Sequence, residues 1–476
     1  MYDLILKNGC VVTSKETIRA DVAVSGEKIA RIDESIDEEA ARVIDLKGKY
    51  ILPGVIDAHI HCMCPFMGCT GPNDFFKTSV AGAYGGVTMI IDFSNSKKGK
   101  PMVEAVKEKL EQMSNSAVDY SVHGKLVDGD DFAIDEIKTL VDMGIPTFKM
   151  FMTYRKDGIM CEDDTLMKAF KKAAEVGAIP LLHCESNAMA EAAMDEKIKL
   201  GKVTWKDFAE AKPPVCETEA FSRAYYFAKS VGCAIMAVHT TVKPALDIAR
   251  SAHSEDYPLY VETCPHYLTL FKDKLERPDG NLWLCSPPLR TPDQAESLWD
   301  GIGDGTIVIT GSDDGAYTAE EKNRFLERNA DGSYVQDFTK VVNGMAGIET
   351  RMPILLSEGV SKNRVTLNKI AEITSTNIAK IYGMYPQKGE IAVGSDADFA
   401  IVDMSMTDTI HYETQHNNLD YNPYEGIKTT GGVAMTIARG KVIMEDGKFV
   451  GAEGAGKQVK RSISKDILAR FSALNE

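Results

Sequence analysis

Short apolar runs alternate with amphipathic stretches through the middle of the chain. Segments such as CEDDTLMKAFKKAAEVGA and ETEAFSRAYYFAKSVGC have the spacing of helices with one apolar face. Eight runs between such segments are predicted strands, namely GVIDAHI, VTMIIDF, VDYSVHGKL, PTFKMFMT, IPLLHCE, CAIMAVHTT, YPLYVET and TIVITGSDD. Strands that alternate with helices predict βα units and a parallel sheet. Eight units within about 260 residues favour a closed (β/α)8 barrel of the TIM type over an open sheet.

Both ends of the chain instead carry short alternating segments with turn signals. Bends are predicted near one end at Asn8-Gly9 and Gly26-Glu27, and near the other at Arg439-Gly440 and Asp446-Gly447. Isolated hairpins are only marginally stable in water, so we expect the two sets to pair with each other. The sequence therefore predicts an α/β protein with a small β-sandwich domain that both termini build jointly.

These patterns divide the chain into four parts. We expect residues 1–52 and 389–452 to form the two halves of the β-sandwich, and residues 53–388 to form the barrel. Residues 453–476 are expected to form a peripheral C-terminal tail. With 476 residues, 44% of them hydrophobic, the chain is long enough to bury a large core.

The charge of the chain narrows the range of partners. Its 70 acidic residues outnumber its 54 basic residues, which gives a formal net charge of −16. An acidic protein repels phosphate backbones and anionic lipid, so we expect neither a nucleic-acid nor a membrane partner. The N-terminal segment MYDLILKNGCVV is interrupted by Asp3 and Lys7, unlike a signal peptide. We expect a cytoplasmic protein whose ten cysteines are reduced thiols.

Potential metal ligands follow the predicted barrel strands. Catalytic groups of a (β/α)8 barrel come from the carboxyl ends of its strands, which form one face. The first strand ends in His59 and His61, whose spacing of two places both side chains on the same side. Strands four, five, six and eight carry Lys149, His183, His239 and Asp313. Imidazole nitrogens and a carboxylate suit Zn²⁺ and similar ions, so this rim is a predicted metal site.

Lys149 is an unusual member of this set, because an ammonium group is repelled by metal ions. One interpretation is a lysine at the rim that forms an ion pair with a carboxylate. A second interpretation starts from desolvation, which makes a lysine lose its proton readily. The neutral amine can add carbon dioxide and become a carbamate. Such an anionic group could bridge two metal ions.

The motifs that carry these residues resemble those of the hydantoinases and dihydropyrimidinases, which are cyclic-amide hydrolases of the amidohydrolase superfamily. They extend over nearly the whole chain and are GVIDAHIH, FKMFMTY, LLHCES, AVHTT, CSPPLR, TGSDD and NGMAGIETR. The resemblance implies two divalent metal ions, with zinc as first choice and manganese, iron or nickel as alternatives. It implies that carbon dioxide carboxylates Lys149. The implied ligands are His59, His61 and Asp313 for one ion, and His183 and His239 for the other.

The resemblance also implies an activity and a mechanism. A hydantoin or dihydropyrimidine ring would be hydrolysed to an N-carbamoyl amino acid or a related ureido acid. The nucleophile would be a hydroxide held between the two ions. Asp313 would move its proton to the ring nitrogen, and Tyr154 would hydrogen-bond the substrate carbonyl. The main chain at Ser286 and Asn343 would hold the ring amide, and the enzyme would be a homotetramer.

The chain departs from the family pattern at two places that bear on the substrate. Asp314 stands where the family usually has histidine, and the following segment 315–340 is acidic and unusual. The loop after His61 is rich in sulfur, and we interpret its Cys62 and Cys64 as apolar lining rather than metal ligands. Candidates for contact with the ring substituent are Phe66, Met67, Met152 and Ile159.

Three alternatives remain beside this interpretation. Allantoinases and dihydroorotases share the chemistry of two metal ions, and the ring substrate itself stays open. A deaminase with one metal ion would not need Lys149. A non-catalytic scaffold related to dihydropyrimidinase would have lost ligands, whereas all six ligand positions are present here. The remaining histidines are interpreted as structural, namely His123, His253, His266, His411 and His416.

Overall fold

The computed structural model describes residues 1–476 and contains two β-sheets, one of nine strands and one of eight. The strands are β1 (Tyr2–Val12), β2 (Thr17–Ser25), β3 (Lys28–Asp33), β4 (Ala40–Asp45), β5 (Tyr50–Pro53), β6 (Val55–Ile60), β7 (Val87–Phe93), β8 (Asp119–Lys125), β9 (Thr147–Phe151), β10 (Ile179–His183), β11 (Ile235–Ala237), β12 (Leu259–Thr263), β13 (Ile309–Thr310), β14 (Phe399–Thr409), β15 (Lys428–Ala438), β16 (Lys441–Glu445) and β17 (Lys448–Phe449).

Helices follow most of the strands of the eight-stranded sheet. The α-helices are α1 (Phe75–Tyr84), α2 (Met102–Gln112), α3 (Asp131–Asp142), α4 (Asp163–Val176), α5 (Asn187–Lys199), α6 (Trp205–Ala211), α7 (Pro214–Val231), α8 (Lys243–Ser254), α9 (Pro265–Thr269), α10 (Pro292–Asp304), α11 (Ala319–Lys322), α12 (Arg351–Ile354), α13 (Leu367–Ala371), α14 (Asn377–Tyr382) and α15 (Lys465–Ala469). Short 3-10 turns cover Met113–Asn115, Lys272–Glu276, Gly280–Trp283, Phe338–Lys340, Tyr412–Thr414 and Phe471–Asn475, and π-helical turns cover Leu355–Val360 and Glu372–Thr376.

The eight-stranded sheet is the predicted (β/α)8 barrel. Its strands β6 to β13 lie side by side in chain order and pair in parallel. The barrel closes where the His61 N–H donates to the Asp314 carbonyl oxygen at 2.9 Å. All eight predicted strands are confirmed. The prediction succeeded because buried runs of apolar residues are typical of strands that are covered on both faces. The two quoted amphipathic segments form α4 and α7, which end at left-handed Gly177 and Gly232.

The nine-stranded sheet joins the two ends of the chain. Strand β5 pairs antiparallel with β14, so that Ile51 lies opposite Ile401. On the far side of β5, strands β1, β2 and β3 extend the sheet, and beyond β14 it continues through β15, β16 and β17. Leu6, Val22 and Phe399 belong to one buried cluster within it. This confirms that both termini build one β-domain, since neither set of strands could bury that cluster alone.

One predicted hairpin bend is wrong. Strand β1 continues through Asn8-Gly9, where its pairing with β2 shifts register in a β-bulge. Asn8 has a left-handed φ of 56°, and its N–H donates to the Asp21 carboxylate at 2.8 Å. A Cβ on Gly9 would lie 2.7 Å from the Ile51 side chain, which explains the glycine. Asn-Gly therefore marks a bulge here rather than a turn, and the other three bends are confirmed.

The last segment of the chain packs beneath the barrel, although the sequence led us to expect it at the periphery. Ile463 and Ile467 are buried in the same cluster as the inward-facing Ile91 and Met236 of the barrel. The Tyr260 hydroxyl donates to the Ile467 carbonyl oxygen at 2.6 Å. The segment that contains Ile463 and Ile467 therefore covers apolar surface of the barrel that would otherwise be exposed to water. No helix of the protein has the length and apolar character needed to cross a membrane.

A buried lysine links the barrel to the terminal sheet. The Lys388 Nζ lies 2.9 Å from Asp396 and 2.5 Å from Asp398, and it also contacts Asp119 at the start of β8. Burial alone would lower the pKa of Lys388, but the three carboxylates outweigh it and raise the pKa well above its usual value. Lys388 therefore balances negative charge between the two sheets.

Replacing Lys388 by methionine should destabilise the protein by about 3–5 kcal/mol, because buried Asp398 loses its only cation and Asp119 and Asp396 each lose one of theirs. Lys28→Met is the matched control, since Lys28 pairs with the same Asp396 at 2.6 Å while its side chain stays 49% exposed. That control should cost less than about 1 kcal/mol. Urea unfolding measures both values, and equal losses in the two variants would contradict this account of Lys388.

Candidate active site

A cavity of about 400 Å³ lies over the carboxyl ends of the barrel strands. The predicted site residues His61, Lys149, Tyr154, His183, His239, Ser286, Asp313 and Asn343 all line it. His59 is fully buried within the barrel next to His61, at a ring-centroid distance of 5.3 Å. The structure therefore brings all nine predicted residues to one place, although they come from seven separate parts of the chain.

Two histidines and one carboxylate form the first cluster. The Asp313 Oδ1 lies 3.2 Å from the His59 Nε2 and 3.1 Å from the His61 Nε2. Burial alone would raise the pKa of Asp313, but His59 and His61 hold it well below its usual value. Burial alone would lower the pKa of His61, whereas hydrogen bonds with Asp313 and Cys64 raise it to about 9. All three ligand atoms lie within 4.8 Å of one another, as binding of one ion requires.

His183 and His239 form the second cluster. His183 is the last residue of β10, and His239 follows β11 with a left-handed φ of 42°. Their ring centroids are 4.6 Å apart. Burial lowers the pKa of His183 to about 4 and that of His239 well below its usual value. Both imidazoles are therefore neutral at pH 7, which is the form that binds metal ions.

Lys149 lies between the two clusters. Its Nζ is 3.4 Å from the His239 Nε2 and packs over the rings of Phe93 and Phe151, at 5.1 Å and 5.4 Å from their centroids. The residue is only 1% exposed and forms no ion pair. Burial lowers the pKa of Lys149 to about 8. The interpretation of Lys149 as a lysine at the rim in an ion pair is therefore wrong.

Glu262 supports both clusters and was not found by the sequence analysis. It lies in β12, fully buried, where the His59 Nδ1–H donates to its Oε1 at 2.6 Å. The same oxygen accepts the His239 main-chain N–H at 3.1 Å. A carboxylate that holds one ring nitrogen of a histidine fixes the tautomer and directs the other nitrogen to a metal ion. A lone acidic residue within the apolar run YPLYVET was the signal available in the sequence.

An unpaired nitrogen shows that the first cluster fits a divalent metal ion. The His59 Nε2 lies 3.2 Å from the Asp313 Oδ1, and it is buried without a hydrogen-bond partner. Buried polar atoms almost always have a partner, and an orphaned imidazole nitrogen beside a carboxylate is typical of a metal ligand. The donor set of imidazoles and carboxylate therefore matches a transition ion or zinc.

Two buried lysines hold the cavity wall that contains Ser286 and Asn343. The Lys212 Nζ donates to the Ser286 Oγ and to the Glu185 carboxylate, both at 2.7 Å. The Lys322 Nζ donates to the carbonyl oxygens of Leu284 at 3.3 Å and Gly344 at 2.6 Å. These contacts tie together the two segments that present Ser286 and Asn343. The sequence analysis found neither lysine, because only the folded chain brings each of them to its partners.

Most candidates for contact with a ring substituent lie where we expected them. Phe66, Met67 and Ile159 line the cavity. Met152 does not, and that prediction is wrong, because its side chain is 2% exposed and packs into the hydrophobic core. Cys62 is buried and accepts a hydrogen bond from Thr78, away from the cavity.

Asp314 has a structural explanation. Its carboxylate accepts the main-chain N–H of Gly347 at 2.7 Å and of Ile348 at 3.1 Å. Burial raises the pKa of Asp314 to about 6, although the two N–H groups stabilise the charged carboxylate and lower the pKa in part. Asp314 therefore holds the segment after Asn343 and does not line the cavity. His123 is structural as predicted, since it is buried and bonds the Thr147 hydroxyl at 2.6 Å.

Comparison with known proteins agrees with this site. Residues 50–443 match the Amidohydrolase family. A D-hydantoinase from Geobacillus stearothermophilus is 37% identical over 96% of both chains. The crystal structure of a dihydropyrimidinase from Brevibacillus agri superposes with a TM-score of 0.93 at 37% identity, covering 98% of this chain and 100% of that one. The chain belongs to the hydantoinase group of the amidohydrolase family.

Other members of the group are nearly as similar. An L-hydantoinase (dihydropyrimidinase) from Arthrobacter aurescens has a TM-score of 0.89 at 30% identity, with 97% of this chain and 100% of that chain covered. A D-phenylhydantoinase from Escherichia coli is 32% identical over 96% of this chain and 98% of its own length. The similarity therefore includes the terminal sheet as well as the barrel. This amidohydrolase has the same architecture as relatives that bear D- and L-hydantoinase names.

Proposed function

We propose that the protein is a metal-dependent cyclic amidohydrolase that opens a hydantoin or dihydropyrimidine ring. Water adds to a ring carbonyl carbon, the adjacent C–N bond breaks, and the product is an N-carbamoyl amino acid or a related ureido acid. The observation that carries this proposal is the meeting of four histidines, Lys149 and Asp313 at one cavity. The similarity to hydantoinases and dihydropyrimidinases supports it over the full length of the chain.

The proposed site holds two divalent metal ions, with zinc as first choice and manganese, iron or nickel as alternatives. His59, His61 and Asp313 would hold one ion, and His183 and His239 would hold the other. Lys149, carboxylated by carbon dioxide, would supply an anion between the clusters. The position of its Nζ, 3.4 Å from His239 and without an ion pair, supports this assignment.

The side chains then have distinct tasks in the reaction. The bound ions would lower the pKa of water and polarise the carbonyl group. Asp313 would accept the proton of the attacking water and pass it to the ring nitrogen that leaves. The Tyr154 hydroxyl, which lines the cavity, would donate to the carbonyl oxygen as negative charge develops there. Main-chain groups at Ser286 and Asn343 would hold the ring amide in place.

Replacing Glu262 by glutamine should lower metal affinity and kcat/KM by about 10- to 100-fold, because His59 loses the carboxylate that fixes its tautomer. Competition with a chelator measures the affinity, and ring-opening rates measure the activity. Glu255→Gln is the control, since Glu255 pairs with Lys229 on the surface and should tolerate the same change. An unchanged metal affinity in Glu262→Gln would show that this carboxylate does not support the site.

A substrate panel tests the proposed activity directly. The metal-loaded protein is incubated with dihydrouracil, substituted hydantoins, allantoin and dihydroorotate, and the ureido products are measured. We expect ring opening of hydantoins or dihydrouracil. Turnover of allantoin or dihydroorotate alone would favour the related ureide hydrolases instead. No turnover of any ring by protein that holds metal ions would favour a non-catalytic scaffold.

Three further properties belong to the same proposal. We infer a homotetramer, which sedimentation velocity can test. A cytoplasmic location is proposed from the ten free cysteines, because reduced thiols persist in the cytosol. The proposed domain boundaries at residues 52, 388 and 452 can be tested by limited proteolysis.

A further inference from the structure

Lys125 is a cavity residue that the proposed reaction does not use. It is the last residue of β8, and its side chain lines the cavity. The residue two positions earlier is His123, whose ring lies inside the barrel against Phe93 and Tyr382. Because side chains two residues apart share one face of a strand, the Lys125 side chain points toward the barrel mouth.

The ammonium group of Lys125 has no partner within the protein. It donates no hydrogen bond and forms no ion pair, although the residue is largely shielded from solvent. The one buried carboxylate near it is Asp92, which is already paired with Lys109 at 3.3 Å. A shielded charge without a partner is costly, so an anion that enters the cavity is stabilised there.

The walls around this cation favour binding of one anionic group. Phe66, Met67 and Phe93 line the same cavity and make it a region of low dielectric constant, where an ion pair is stronger than in water. Asp157 lines the cavity from the loop after Tyr154 and also forms no ion pair. A carboxylate in the cavity is therefore repelled by Asp157 and attracted by Lys125.

We propose that Lys125 binds a carboxylate on the substituent of the cyclic amide, so that the preferred substrates are rings with an anionic side chain. This inference rests on the proposed ring-opening activity and narrows its substrate class. Lys125 acts in binding and specificity only, because the carboxylate at the far end of the substituent is several bonds away from the C–N bond that breaks. The residues assigned to catalysis keep their tasks for neutral and charged rings alike.

A matched pair of substrates tests this specificity. Hydantoin-5-propionate and its primary amide have nearly the same shape and differ in charge. The wild-type enzyme should open the carboxylate with the higher kcat/KM. Lys125→Met should lower kcat/KM for the carboxylate by about 10- to 100-fold, mainly through a higher KM, because a charged hydrogen bond is lost. Its effect on the amide should be far smaller, and Lys125→Arg should keep the preference.

Two control variants separate this role from others. Lys97 is an exposed lysine near Lys125. Lys97→Met should leave kcat/KM unchanged for both the carboxylate and the amide. Cys64 also lines the cavity near Lys125, and its sulfur could compete for the ammonium group. If Lys125 served Cys64 instead, Lys125→Met and Cys64→Ser would slow both substrates equally, which would overturn the inference.

The failure of this inference can be told apart from the failure of the proposed function. Ring opening of the amide without a preference for the carboxylate would overturn the role of Lys125 and leave the proposed activity standing. No ring opening of either compound by metal-loaded wild-type enzyme would overturn the proposed function and this inference with it. A preference that disappears in Lys125→Met and persists in Lys125→Arg would support both.

Discussion

The Lys149→Ala variant should no longer bind its metal ions. Its kcat/KM should fall at least about a thousandfold, because several kcal/mol of transition-state stabilisation depends on those ions. The side chain lies between the two histidine clusters and is almost fully buried, so its removal leaves a small cavity beside His239. Formate, acetate or propionate should enter that space, supply the missing carboxylate and partly restore activity. Elemental analysis and ring-opening rates measure the two effects.

The chemical rescue distinguishes a carboxylated lysine from a lysine that only fills space. The same acids should leave the wild-type rate unchanged. Lys97→Ala removes an exposed lysine and should keep both metal ions and activity. A Lys149→Ala variant that binds metal ions with wild-type affinity would show that no carbamate holds them. Mass spectrometry of the native wild-type chain should show the added mass of one carbon dioxide.

Asp313→Asn should keep the fold and lose about 10²- to 10⁴-fold in kcat, because an amide cannot accept the proton of the attacking water. The replaced carboxylate lies 3.1 Å from His61 and 3.2 Å from His59, within the cavity. Circular dichroism tests the fold, and a ureido-product assay tests turnover. The loss should fall on kcat more than on KM, because the proton moves only as the reaction proceeds.

The neighbouring residue provides a matched control for this substitution. Asp314 carries the same side chain, but its oxygen accepts the N–H groups of Gly347 and Ile348. An asparagine oxygen can accept the same two bonds, so Asp314→Asn should keep most of the activity. Equal losses in both variants would mean that Asp313 acts by holding the loop rather than by moving a proton.

The sequence predicted the barrel and its ligands because both follow from local rules. Buried apolar runs indicate strands, and the carboxyl end of each strand is at the active face of a barrel. His59 and His61 follow from strand periodicity, while His183 and His239 follow from their place at strand ends. The pairing of the two terminal β-segments also followed, since hairpins need a partner sheet.

The residues that support the site could not be predicted in the same way. Glu262 touches His59, which is about two hundred positions away along the chain, and Lys322 reaches the carbonyl oxygens of two other segments. Such contacts depend on the three-dimensional arrangement and leave only weak local signals. The conformation at Asn8-Gly9 could not be predicted either. An Asn-Gly dipeptide suits a hairpin turn or a bulge, and the pairing with the neighbouring strand β2 decides between the two.

The central claim is that activity requires divalent metal ions held by both histidine clusters. Its most direct test is a titration of the metal-free protein with zinc, followed by ring-opening rate against bound metal. We predict that activity rises until two ions are bound per chain and then stays constant. Full activity with no metal ion, or with only one ion per chain, would contradict the account.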